Sequence, residues 1–165
     1  MTKSAYILKV ALSGAKGIWR RIAVLPNQTL DDLHEAIYGA FDRDDEHLYS
    51  FFFPERPTTS LRKIYDSPEF THPYNAEDPG PFGDEKVPDA AKAKMKSLGL
   101  VAKQRFYYLF DFGDSWWHEI TVEATGAPRE PGAYPRVLEK HGDSPPQYPD
   151  MEDEEDVEEE EQGGA

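Results

Sequence analysis

Histidines stand close to carboxylates at three places in this 165-residue chain, so an imidazole could meet an acid at each. Asp31 and His34 are three residues apart, which on a helix brings the two side chains together. His47 follows the acidic run Asp42, Asp44, Asp45 and Glu46, and Asp111, Asp114 and His118 gather around Gly113. Imidazole nitrogen with carboxylate oxygen is a donor set for a divalent metal and equally a pair for general acid–base catalysis. The spacings match no established motif. There is no Gly-x-Ser-x-Gly elbow, no phosphate-binding Gly-Lys-Ser/Thr loop and no His-Glu-x-x-His helix. Asp111-Phe112-Gly113 spells the kinase magnesium triplet without the glycine-rich and catalytic loops that give it meaning. An enzymatic role would mean a metal-assisted hydrolase using His34, His47, Asp111, Asp114 and His118. Without a motif, the pattern points away from an enzyme, and no catalytic residue, metal or cofactor is assigned.

The element that positions these groups is the stretch 106–123, where seven aromatic residues surround Gly113-Asp114. Two dense apolar runs about a glycine-containing turn predict a β-hairpin, with the φ > 0 position at the glycine. Alternation puts Phe106, Tyr108, Phe110 and Phe112 on one face with Trp116, His118, Ile120 and Val122. A histidine among such neighbours is expected to be a satisfied core or rim residue. Tyr107, Leu109 and Asp111 fall on the other face with Trp117, Glu119, Thr121 and Glu123. At 13% aromatic content the chain holds more rings than a small core needs, and tryptophan, tyrosine and arginine dominate binding surfaces. The expected function is therefore protein or peptide binding, as an adaptor domain, through an aromatic-rich sheet face carrying Trp19, Arg21, Tyr107, Asp111, Trp117 and Glu119.

Upstream, 5–12 and 18–25 read as two strands around glycines, with Arg20 and Arg21 laying their stems on an exposed sheet edge. Thr29 and Asp32 form a capping-box pattern ahead of Leu30, Leu33, Ile37 and Phe41, which predicts a helix over 29–41. Residues 47–53 return as a strand. This order predicts an α+β fold of β-grasp (ubiquitin-like) type: a mixed sheet with a helix packed on one face, plus a Pro-rich insertion over 54–88. That insertion is expected to be mostly loop, and 89–97 a short helix. One domain is expected over 1–149, followed by a disordered acidic tail over 150–165.

Ten of the 32 acidic residues lie between Asp150 and Glu161; setting them aside leaves 22 against 18 basic residues, so the net charge of −14 becomes −4 for the body. No lysine- or arginine-rich field faces a phosphate backbone, so nucleic acid is not the expected partner. Zero cysteines exclude disulfides and thiolate chemistry. No apolar run is long enough for a membrane span and no secretory signal opens the chain, so the expected location is cytoplasmic.

Three blocks, residues 8–51, 108–123, and Tyr134-Pro135-Arg136 followed by Ser144-Pro145-Pro146, resemble the plasmid pRiA-four-b open-reading-frame-three-like family. The resemblance implies an α+β domain associated with plasmids and mobile elements, in a family without an established biochemical activity; an association with nucleic acid would follow from that setting alone. Members commonly carry His-Leu-His after the acidic loop and cysteines around the C-terminal Pro-Pro. Here His47-Leu48-Tyr49 keeps one histidine, and Asp143 to Gln147 holds no cysteine. A metal held at those family positions would lose most of its ligands in this chain.

Overall fold

The computed structural model describes residues 4–43, 45–76, 87–113 and 115–145. The acidic tail, the middle of the Pro-rich segment and Asp114 lie outside these described residues. Seven strands form one sheet: β1 (Ser4–Leu12), β2 (Trp19–Val24), β3 (Tyr49–Phe52), β4 (Glu69–Thr71), β5 (Arg105–Phe110), β6 (Trp116–Pro128) and β7 (Arg136–His141). Their order is β4-β3-β5-β6-β1-β2-β7, and every ladder between them is antiparallel.

This corrects the β-grasp expectation. A mixed sheet needs a parallel strand pair, and the described residues offer only an isolated parallel bridge between Thr71 and Asp89. The architecture is sheet-dominated. Its one substantial helix, α1 (Leu30–Ala40), has 11 residues, against five for α2 (Leu61–Tyr65) and four for α3 (Pro73–Ala76). The physical reason lies in the 13-residue β6, which pairs with β5 on one side and β1 on the other. Strand order is thus set by a pairing between chain segments more than a hundred positions apart, which local element order does not disclose.

Local signals nonetheless produced several elements. Thr29 Oγ1 accepts from the Asp32 amide at 3.1 Å, while Asp32 accepts from the Thr29 amide at 2.9 Å, a reciprocal cap. Leu30, Leu33 and Ile37 of α1 are fully buried in one cluster with Leu8 and Val10 of β1, Ile22 and Val24 of β2, Phe106, Tyr108 and Phe110 of β5, and Ile120 and Val122 of β6. The hairpin β5–β6 pairs Phe110 with Trp116 and Tyr108 with His118. Its left-handed positions are Asp111 (φ 64°) and Ser115 (φ 55°), not Gly113. The Asp111 carboxylate accepts from the Gly113 amide at 3.0 Å and its carbonyl from the Ser115 amide at 2.6 Å, which offsets the strain.

Arg20 departs from its expected place at an edge. β7 pairs beyond β2, so β2 is internal, and Arg20 is only 2% exposed. Its guanidinium donates to the carbonyls of Ala40 (2.8 Å), Trp19 (2.8 Å) and His141 (2.9 Å) and to Ser144 Oγ (2.9 Å). One side chain therefore joins the end of α1, β2 and the edge strand. Residues 89–97, expected as a helix, form two 3₁₀ turns, Ala90–Lys92 and Met95–Leu98, the second ended by left-handed Gly99. No helix among the described residues is long and apolar enough to cross a membrane.

Candidate functional site

Under α1 the sheet carries a buried polar network. His34 is 1% exposed and stacks on Tyr49, with ring centroids 4.0 Å apart and planes within 10°. Its Nδ1 lies 2.6 Å from the Tyr108 hydroxyl, and its Nε2 lies 3.4 Å from Glu46 and 3.9 Å from Glu35. Tyr49 donates to Asp31 at 2.5 Å, which holds that carboxylate beside the stack. Burial, with smaller contributions from His72 and Arg43, lowers the His34 pKa to about 3, so the ring is neutral at neutral pH. Partial desolvation raises both glutamates, helped at Glu35 by Glu46 and Asp31, and at Glu46 by Asp31.

His118 is completely buried on the other side of Tyr108, its ring 5.0 Å from the tyrosine ring. Arg43 Nη2 lies 3.0 Å from His118 Nε2; an arginine can only donate, so Nε2 accepts and Nδ1–H faces the Tyr108 carbonyl at 3.3 Å. Burial first, and Arg43 second, push the His118 pKa well below its ordinary value. The Arg43 guanidinium sits 5.1–5.3 Å from the rings of Phe41, Phe110 and Trp116, an aromatic cage for a buried cation. Arg43 Nη1 and Trp116 Nε1 are buried without a hydrogen-bond partner among the described residues. His47 pairs with Asp111 at 3.4 Å at the loop end. The three histidines thus belong to one aromatic neighbourhood but end on separate partners: Glu46, Arg43 and Asp111. Asp114 lies outside the described residues.

The opposite face gathers most of the other predicted residues. Alternation places Trp19 and Arg21 of β2, Trp117 and Glu119 of β6 and Tyr107 of β5 on one side of the sheet, whereas Asp111, expected with them, is 6% exposed in the hairpin loop and pairs with His47. They split into two groups. Arg21 bridges Glu123 at 2.6 Å and Glu139 at 2.9 Å, and Lys9 and Arg21 flank Trp19, forming a charged ladder. Tyr107 and Leu109 are buried with Phe52 and Ile64, because the start of the Pro-rich segment crosses this face instead of looping away. Ser60 caps α2 by accepting from the Lys63 amide, Ile64 points into the sheet, and Tyr65 meets the edges of Phe52 and Trp117. The Tyr107 hydroxyl accepts from the Thr58 amide at 3.0 Å. Between this strap and the sheet is an apolar cavity of about 200 Å³ lined by Leu61, Ile64, Tyr107, Trp117, Thr58 and Glu119. A neighbouring trough of about 370 Å³ shares Thr58, Tyr107 and Glu119 and adds Arg105.

Glu35, Arg43, Glu46, Leu61 and Ile64 carry these two sites yet were not singled out from sequence. Helical spacing of Leu61, Ile64 and Tyr65 behind Ser60 was the available signal for the strap. Nothing local announces that Arg43, inside an acidic run, turns inward.

An antiparallel seven-stranded sheet, one long helix and the three sequence blocks find their class in sequence comparison: the chain belongs to the plasmid pRiA4b ORF-3-like protein family, matched over residues 4–159. Among its relatives, the uncharacterized protein y4hQ of Sinorhizobium fredii (strain NBRC 101917 / NGR234) is 30% identical over 148 residues, covering 89% of this chain and 67% of y4hQ. A crystal structure of MM3350 from Methanosarcina mazei Go1, a protein of unknown function, is similar with a TM-score of 0.68 and 26% identity, covering 89% of this chain and 74% of that one.

Proposed function

We propose that the chain is a peptide-binding module whose groove lies between the 57–64 strap and the outer face of β5–β6. The observation that carries this is the convergence of Leu61, Ile64, Tyr107 and Trp117 on one apolar cavity. At about 200 Å³ it is smaller than the roughly 300–1,000 Å³ of pockets that enclose drug-sized ligands, and suits one apolar side chain. The adjoining trough continues the same wall past Glu119 and Arg105, as an extended chain requires. Glu119 stands at the rim, 3.8 Å from Arg105, and the net charge is still −4 without the ten acidic residues of 150–161, which together favour a basic residue beside the anchor. The occupant is therefore a short peptide with an apolar anchor and a neighbouring lysine or arginine.

The test is selection of displayed random peptides on the full chain, followed by affinity measurement on Leu61→Asp. Leu61 is 50% exposed, so the substitution leaves the core intact. Enriched peptides sharing an apolar-basic pattern, with binding at least about tenfold weaker to Leu61→Asp, are expected, a loss of about 1.4 kcal/mol. Absence of enrichment, or binding indifferent to Leu61→Asp, would remove the groove from consideration.

A further inference from the structure

We propose that His34, Glu35 and Glu46 form a binding site for a first-row divalent cation of the zinc type, with Tyr108 as the outer partner that orients the histidine. The site lies across the sheet from the peptide groove and is independent of it. Its donors are one imidazole nitrogen and two carboxylates, whose ligand atoms all lie within 4.8 Å of one another. Glu46 and Glu35 oxygens stand 3.4 and 3.9 Å from His34 Nε2. Bonds of about 2.0–2.2 Å hold the donors of a tetrahedral ion roughly 3.4 Å apart, so small torsions of the glutamates complete the geometry. Their side chains are 60% and 54% exposed, for Glu35 and Glu46, and free to make that movement.

The histidine is the rigid part. Tyr49 stacked on its face and Tyr108 bonded to Nδ1 fix the ring so that Nε2 points at the two carboxylates. Such locking by an outer partner is the arrangement that ligating histidines adopt. Among the described residues, neither glutamate forms an ion pair with a lysine or arginine. Asp31, held by Tyr49, adds further negative charge. A dication answers this local excess.

The Tyr108 hydroxyl also serves both states. Without metal, its O–H donates to Nδ1 and the histidine proton resides on Nε2, facing Glu46. With metal, the Nε2 lone pair meets the ion, the proton moves to Nδ1, and the Tyr108 oxygen accepts it. Three protein donors leave at least one coordination position for water or a ligand oxygen.

Zinc chloride titrated at neutral pH into the full chain provides the test, with affinity read by calorimetry and the His34 ring nitrogens followed by long-range proton–nitrogen correlation. One equivalent should bind while the His34 proton transfers from Nε2 to Nδ1. Glu35→Gln and Glu46→Gln, both at exposed positions, should each weaken binding by at least about tenfold. Tyr108→Phe should weaken it about 10–100-fold, as loss of an outer partner does. Zinc held by the acidic tail or by other histidines would leave the His34 resonances in place and ignore the glutamate substitutions. That outcome, or no binding at all, overturns the assignment, and unchanged affinity in Tyr108→Phe overturns the role of Tyr108.

Discussion

Removing a single oxygen atom should loosen the strap over the groove. In Tyr107→Phe the ring stays, with its packing against the strap cluster, but the acceptor of the Thr58 amide at 3.0 Å is lost. Tyr107 is 4% exposed, so water replaces that acceptor poorly, and a neutral hydrogen bond of this kind contributes about 0.5–1.5 kcal/mol. If the Thr58 amide exchanges through local opening of the strap, about 1 kcal/mol lowers its protection roughly fivefold, with limits of about two- and thirteenfold. Amide exchange on the full chain, comparing Thr58 and Ile64 with Leu8 and Ile120 in the core, is the assay. Faster exchange confined to the strap is expected. Protection at Thr58 equal to wild type would refute the claim that the Tyr107 hydroxyl fastens the strap, and equal acceleration throughout the core would mean that the fold as a whole had weakened.

Arg20→Met should cost about 3 kcal/mol in urea unfolding, because the Ala40 carbonyl is buried and charged hydrogen bonds contribute about 1.5–3 kcal/mol each where water cannot substitute; a loss below about 1 kcal/mol would contradict the joining role given to Arg20. Stability in metal-free buffer should fall on acidification. His34 and His118 stay neutral in the fold, whereas the unfolded chain takes up their protons below about pH 6.5. Their contribution is complete above that pH and declines below it, by up to about 1.4 kcal/mol per pH unit for His34 until its folded pKa of about 3. Glu35 and Glu46, with raised values, act in the opposite sense and shallow the slope. Urea midpoints across this range that do not move, or that rise with acid, would contradict the neutral assignment.

What the sequence disclosed is what neighbours in the chain decide. The Thr29–Asp32 cap, the apolar stripe of α1 and the alternation of the 106–123 hairpin were readable, except at Phe112, which is 40% exposed in the turn, and so was the burial of His118. Long-range pairing was not. β7 is short and almost wholly exposed, with Val137 37% and Leu138 47% exposed, so it carries no alternating pattern, yet its pairing with β2, together with the end of α1, turns Arg20 from an edge residue into a buried one. The β-grasp expectation failed for the same reason, since β1 meets β6 only once the sheet is assembled. On the candidate sites, residue type pointed to His34 and Trp117, but not to their partners. Glu46 and Leu61 matter through where the chain returns, and the prolines around 54–57 concealed a five-residue helix that covers the outer face.

The central claim is that a peptide occupies the groove under the strap. Amide and side-chain chemical shifts of the full chain, followed as a selected apolar-basic peptide is added, test it most directly. Saturable shifts are expected at Leu61, Ile64, Tyr107, Trp117 and Glu119, with the Trp19–Arg21 ladder and the His34 network unmoved. Shifts centred on the ladder, on the β7 edge or on His34, with the groove silent, would contradict it.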